Sequence, residues 1–170
     1  MNKVNIAVIG GGFFGASIAL KIKEKYPNGN IDLFEKKGDL LNGTSGKNQF
    51  RSHRGYHYPR SQKTYVECEI SNNSFEKFFK NCFIKSNNYY SISKYKSKTS
   101  FSNFCNYLDE VRLEYKIIKN HPLINPQLTQ GILLANEKLI NISKARLLLR
   151  KEIEKKDINL FLNYEVKLNK

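Results

Sequence analysis

Val4-Asn5-Ile6-Ala7-Val8-Ile9-Gly10-Gly11-Gly12-Phe13-Phe14-Gly15 is the stretch of this 170-residue chain that decides its fold. Residues 4–9 form an apolar run of strand length that ends on a glycine cluster. Past the glycines, Ile18, Ala19 and Ile22 recur at helical spacing. Lys21, Lys23, Glu24 and Lys25 take the wet side, so a helix is expected over Phe13–Lys25. Pro27, Asn28 and Gly29 stop it, and residues 31–35 read as a second strand. Gly10, Gly12 and Gly15 satisfy G-x-G-x-x-G inside this strand–turn–helix–strand unit, and Glu35 stands 20 residues after Gly15 at the end of the second strand. Gly10 permits the tight turn, Gly12 lets backbone approach a pyrophosphate, and Gly15 lets helix and strand pack closely. Phosphates would lie at the helix N-terminus beside Phe13 and Phe14, where free N–H groups and the helix dipole favour anions. Glu35, with Lys36 next to it, would take a ribose 2′-OH, and its carboxylate disfavours the 2′-phosphate of NADP. The expected fold is α/β, a Rossmann-like dinucleotide-binding unit. FAD and NAD both satisfy this fingerprint.

Residues 36–59 are irregular and rich in Gly, Ser, Asn, His and Tyr, a length of loop that is unusual unless functional. A helical pattern follows over 61–83, with a break expected at 71–74. Strands are expected at 89–93, 115–119, 131–135 and 160–166, and helices at 100–113 and 143–155, the last with Ser143 as N-cap. No internal repeat is present.

The formal charge of +14, from 29 basic and 15 acidic residues, raises the question of a nucleic-acid partner. However, 23 of the basic residues are Lys, spread singly or in pairs along the chain, with no block of the kind that marks a nucleic-acid tail. The charge reads as solvated surface, and no specific nucleic acid is expected. Cys68, Cys82 and Cys105 are odd in number and lack C-x-x-C spacing, which suits reduced thiols in a cytoplasmic protein. No window reaches the 18 apolar residues or so of a membrane span, and glycines interrupt the only apolar N-terminal run. No metal is expected. His53 and His57 are four apart, but Gly55 and Pro59 argue against a helix there and no acidic residue stands near as a third ligand.

Thr44-Ser45-Gly46-Lys47-Asn48, continuing through His53-x-Gly55 to Tyr58, resembles the FAD-dependent oxidoreductases of the D-amino-acid oxidase superfamily. The nearest resemblance is to the 2-hydroxyglutarate dehydrogenase/oxidase branch, with T/A-S-G-R-N-S-G followed by His-x-Gly and tyrosines. It implies FAD as cofactor. Glu35 would lie on the adenosine ribose, and Thr44, Ser45, Lys47 and Asn48 along the pyrophosphate and flavin edge. His53 and Gly55 would lie near the isoalloxazine, and Val166 in the strand returning to the adenine end. Where the branch has Ser-Gly after Asn, this chain has Gln49-Phe50, and it adds Arg51 and Arg54 around the histidine, so the substrate is left open. The expected organisation is residues 1–60 and 135–170 as flavin-binding parts, with 61–134 beginning an α+β substrate domain.

Arg51-Ser52-His53-Arg54-Gly55-Tyr56-His57-Tyr58-Pro59-Arg60 packs three Arg, two His and two Tyr into ten residues. Oxidation of a 2-hydroxy or 2-amino acid needs a cation for the substrate carboxylate, for which an Arg fork is suited. It also needs a base with pKa near operating pH. Arg51 or Arg54 would serve as the first and His53 as the second, on a small carboxylated substrate. The resembled enzymes are about twice as long, so a further half or a second chain is expected. A non-catalytic dinucleotide-binding protein and an NAD-dependent dehydrogenase are the alternatives.

Overall fold

The computed structural model describes residues 4–167. The chain divides into two compact units, residues 1–50 with 141–170, and residues 51–140. The boundaries fall at Phe50/Arg51 and Ile140/Asn141 rather than at 60 and 135. The physical reason lies in the second unit: Arg51 forms an antiparallel bridge with Leu139, the Ser52 N–H donates to the Lys138 carbonyl (2.9 Å), and Tyr56 is buried in that unit's core. The Arg-His-Tyr segment is therefore built into the second unit.

The first unit is a parallel sheet in the order β1 (Asn5–Ile9), β2 (Asn30–Glu35), β8 (Asn159–Leu162), joined in register from Asn5↔Asn30 and from Asp32↔Asn159. Helix α1 (Phe13–Lys25) joins β1 to β2, and α4 (Ile142–Lys155) precedes β8. α1 packs on β1, β2 and α4, and α4 on β8. Ala16, Ala19, Leu20, Ile31, Leu33, Leu149 and Ile153 close the core between them. The small residues of α1 allow its close approach to the sheet; the buried face is Ala16, Ala19 and Leu20 rather than the expected Ile18, Ala19 and Ile22, and Ile18 is exposed. α4 is capped by Asn141, whose Oδ1 accepts from the Lys144 N–H (3.0 Å), not by Ser143. β8 stops at Leu162 because Asn163 turns left-handed (φ 56°). Asn163 and Tyr164 then donate to the Lys37 and Glu35 carbonyls, both at 3.0 Å. Val166 lies beyond the strand, half-buried in irregular chain, so its expected place within a strand is corrected.

The second unit carries an antiparallel sheet in the order β4 (Asn88–Ser93), β6 (Thr129–Ala135), β5 (Tyr115–Ile118), and a short ribbon of β3 (Phe83–Ile84) with β7 (Leu139–Ile140). Its helices are α2 (Gln62–Phe78) and α3 (Phe101–Glu110). α2 runs unbroken through 71–74, against expectation, because its polar residues find partners: Ser71 Oγ donates to the Glu67 carbonyl one turn back, and Asn72 Oδ1 accepts from the distant Ser52 Oγ. α3 ends at Glu110, with Arg112 left-handed (φ 55°), and Ser100 caps its start. The core gathers Tyr56, Phe104, Tyr107, Leu108, Leu133 and Ala135. Tyr107 Oη donates to the Gly55 carbonyl (3.0 Å) and Tyr56 Oη to that of Glu114, which ties the 51–60 segment into the unit.

Candidate functional site

In the first unit the glycine turn is enclosed on two sides. Gly10 is left-handed (φ 103°), a conformation that only glycine adopts without strain. A Cβ on Gly15 would stand 1.8 Å from the Gly10 carbonyl oxygen, so the first turn of α1 rests directly on the β1 turn. Gly11, which the fingerprint leaves unspecified, is just as constrained: a Cβ there would meet Leu40 at 2.7 Å and Glu35 at 3.0 Å. The buried Glu35 carboxylate accepts from the Gly11 N–H (2.6 Å) through Oε2 and from the Lys37 N–H (2.8 Å) through Oε1. Each oxygen keeps lone-pair capacity for a ribose hydroxyl. Lys36 is exposed beside it.

On the other side, a loop closes over the turn. Leu41 donates its N–H to the Gly11 carbonyl (2.9 Å) while left-handed (φ 58°) and fully buried, and Leu40 is equally buried. Arg146 of α4 fastens this loop, Nε to the Leu40 carbonyl and Nη2 to Asn42 Oδ1, both at 2.8 Å. Ser45, in the 3-10 turn Thr44–Gly46, reaches the helix start: its Oγ accepts from the Phe13 N–H (3.2 Å) and would lie 3.0 Å from a Cβ on Gly12. The structure thus brings Gly10, Gly12, Phe13, Phe14, Gly15, Glu35 and Ser45 together. Thr44, Lys47 and Asn48 are exposed in the same loop, and Asn48 Oδ1 accepts from the Phe50 N–H (2.7 Å). The N–H groups of Gly12, Phe14 and Gly15 have no protein acceptor among the described residues. A cradle of bare backbone at a helix N-terminus fits the pyrophosphate of a dinucleotide.

In the second unit Arg51, His53 and His57 come together and Arg54 does not join them. Arg51 Nη1 lies 3.3 Å from His57 Nε2, and the His53 and His57 rings are 5.3 Å apart. A guanidinium only donates, so His57 Nε2 accepts and the proton of the neutral ring sits on Nδ1. Tyr90 flanks the same ring at 5.0 Å. Partial withdrawal from water, then the charges of His53 and Arg51, hold the His57 pKa below its ordinary value. Beneath Arg51 lie Tyr90 and Glu137, neither singled out by sequence reading. Tyr90 Oη donates to Glu137 Oε2 (2.8 Å), and burial, then the Glu137 charge, push the Tyr90 hydroxyl pKa well above the phenol range. Only the lone acid in the apolar stretch Gly131-Ile132-Leu133-Leu134-Ala135-Asn136-Glu137 could have drawn attention to it. Arg54 instead lines a separate cleft of about 390 Å³ with Tyr65, Glu69, Glu110 and Arg112. No group of three or more His, Cys, Asp and Glu is placed to hold a metal among the described residues. Among them, too, no helix is long and apolar enough to cross a membrane.

A Rossmann-like sheet with a glycine cradle, an acid at the end of β2 and an inserted α+β unit defines a dinucleotide-dependent oxidoreductase fold. The chain belongs to the DAO family of FAD-dependent oxidoreductases, which matches residues 5–168, and FAD is its cofactor. It is 38% identical over 66 residues to the FAD-dependent monooxygenase KojA of Aspergillus flavus, a match covering 39% of this chain and 15% of that protein. Glycine oxidase from Geobacillus kaustophilus superposes with a TM-score of 0.77 at 12% identity, over 98% of this chain and 48% of that one. L-α-Glycerophosphate oxidase from Mycoplasma pneumoniae, solved with FAD bound, gives 0.62 at 18% identity, over 98% and 46%. The chain thus spans about half the length of these solved relatives. None of the three is named for 2-hydroxyglutarate.

Proposed function

We propose that this chain supplies the dinucleotide-binding unit and part of the substrate unit of an FAD-dependent oxidase or dehydrogenase acting on a small 2-hydroxy or 2-amino acid. The observation that carries the reading is the double enclosure of the glycine turn, by Glu35 on one side and the Ser45 loop on the other, around the N–H groups of Gly12, Phe14 and Gly15, which lack protein acceptors among the described residues. Gly10, Gly12, Phe13, Phe14 and Gly15 would hold the pyrophosphate, and Glu35 the ribose. Thr44, Lys47 and Asn48 would line the flavin side of the loop, Lys36 would stand beside the ribose, and Val166 near the adenine. Bound FAD supplies an acceptor for the electron pair that leaves the substrate carbon as hydride. The residues of residues 51–60 serve the substrate: an arginine, Arg51 or Arg54, holds its carboxylate, and His53, exposed, takes the proton from O–H or N–H. Three free thiols suit a reducing, cytoplasmic setting.

The test is anaerobic. Protein reconstituted with FAD is mixed with lactate, alanine, glycine, proline and 2-hydroxyglutarate, and flavin bleaching is followed. Retention of FAD with bleaching by a hydroxy or amino acid supports the reading, and bleaching by 2-hydroxyglutarate alone would support the branch resembled in sequence. Uptake of NAD without FAD, or FAD retained but never reduced, overturns it. The likeness to a protein named a monooxygenase adds one aerobic arm, in which labelled oxygen in the product would redirect the reading to oxygen insertion.

A further inference from the structure

Glu137 is the most buried charge in the second unit, with its side chain wholly hidden, and its Oε1 has no hydrogen-bond partner. A buried carboxylate with a bare oxygen costs stability unless it serves something, so its surroundings matter. Its Oε2 takes the Tyr90 hydroxyl at 2.8 Å and faces Arg51 Nη1 at 3.8 Å. The Arg51 guanidinium carbon also lies over the Tyr90 ring, 5.2 Å from its centre. Both backbones are pinned: Arg51 bridges Leu139, the Ser52 N–H donates to Lys138, and Asn88 Nδ2 donates to the Glu137 carbonyl (2.9 Å). The contacts of Arg51 to His57 and to Glu137 both run through Nη1, and its guanidinium also engages the Tyr90 hydroxyl. Arg54 is different. It makes no hydrogen bond or ion pair among the described residues and lines the separate cleft with Tyr65 and Glu69.

We propose that Glu137 and Tyr90 are positioning residues that hold Arg51, and that the Nε–Nη2 edge of this held guanidinium is the anchor for the substrate carboxylate. The proposal rests on the reading of a carboxylated substrate and chooses between its two arginines. A flexible arginine loses about 0.5–1.5 kcal/mol of side-chain freedom on binding, whereas one already held does not. The carboxylate should therefore bind roughly three- to tenfold more weakly once the hold is removed.

The readout is the His57 ring, which needs neither flavin nor substrate. Its neighbours are Arg51, His53, Tyr58 and Tyr90, and Arg51 is one cause of its lowered pKa. In the full chain labelled at histidine nitrogen, His57 is titrated in the parent, Glu137→Gln, Arg51→Met and the double variant. We expect Glu137→Gln to move His57 differently with Arg51 present than with methionine there, because release of Arg51 raises the His57 pKa only when Arg51 exists. Equal shifts in the two backgrounds mean Glu137 acts directly on His57 or not at all, and overturn the positioning role. Tyr90→Phe keeps the ring under Arg51 and removes only the bond to Glu137, so it gives the same comparison should Glu137→Gln fold poorly. Lactate, alanine and 2-hydroxyglutarate are then titrated against the Arg51 and Arg54 Nε–H signals. A shift at Arg51 that weakens in Glu137→Gln supports the anchor, and a shift at Arg54, or at neither, overturns it. FAD retention is measured in parallel. Its absence in the parent would sink the flavin reading and leave the His57 comparison standing.

Discussion

Replacing Glu35 by alanine should destabilise the first unit even with no cofactor present. The carboxylate is 7% exposed and accepts two backbone N–H groups, from Gly11 at 2.6 Å and Lys37 at 2.8 Å. Gly11 is buried, so its N–H would be left without a partner at a cost of about 1–3 kcal/mol. Lys37 is exposed and water can replace its acceptor, for about 0.5–1 kcal/mol. The sum is roughly 3 kcal/mol. With a urea slope of about 2 kcal/mol/M, the unfolding midpoint of the flavin-free protein should fall by roughly 1.5 M. Glu35→Gln keeps one accepting oxygen and should lose less. Because the chain has two compact units, amide exchange at Gly11 and Lys37 is the sharper measure, and both should lose protection in Glu35→Ala. A midpoint that moves less than about 0.3 M, with Gly11 still protected, would refute the view that Glu35 builds the turn. If apo stability falls as expected and FAD retention does not, Glu35 shapes the cradle without touching the ribose.

Gly15→Ala puts a Cβ 1.8 Å from the Gly10 carbonyl oxygen, backbone against backbone, so a loss above about 2 kcal/mol and loss of FAD uptake are expected by thermal melts and flavin fluorescence. Arg146→Met removes both 2.8 Å bonds to the loop that carries Ser45. FAD should dissociate faster although Arg146 is not assigned any contact with it; unchanged dissociation would show the loop needs no fastening. The lowered pKa of His57 makes it neutral in the fold at a pH where the unfolded chain already binds a proton. Stability from this group is therefore complete above the unfolded value near 6.5 and declines as pH falls from there to the folded pKa. Arg51→Met should narrow that window, read from urea midpoints between pH 5 and 7.5, and a window of unchanged width would count against the Arg51–His57 contact.

How much of this was legible in sequence varies with the range of the interactions. α1 was read to the residue because its signals are local: glycines before it, small and apolar residues at helical spacing within it, Pro-Asn-Gly after it. The chain's family was likewise readable from motifs confined to its first 60 residues or so. The failures are non-local or lie in competing caps. Asn141 outcompetes Ser143 because its side chain sits three residues before the free Lys144 N–H. The break expected in α2 did not form because Ser52, 20 residues away, supplies the donor that Asn72 accepts. The placement of residues 51–60 depends on pairing with Lys138 and Leu139, which no local pattern announces. For the same reason Glu137 and Tyr90 escaped notice: their partner Arg51 is far from both in the chain.

The two sides of the glycine cradle also tie the shape of the turn to the stability of the first unit. Gly11 is gripped by Glu35 through its N–H and by Leu41 through its carbonyl, and a side chain at that position would collide with both Glu35 and Leu40. Leu41 holds its grip in a left-handed conformation that costs a non-glycine residue about 1 kcal/mol or more, which its complete burial offsets. Leu41→Gly would relieve the backbone and lose the burial, about 2–5 kcal/mol, so the burial term wins and the loop should loosen. Leu41→Asn, tolerant of the same backbone, would lose the burial as well. The loop that shapes the cofactor side of the turn is thus held in a strained geometry by the same core contacts that fold the unit. Substitutions that weaken FAD retention through this loop should lower the apo unfolding midpoint in proportion, whereas replacing exposed Thr44 or Lys47, which we propose line the flavin side, should weaken retention and leave the midpoint where it was.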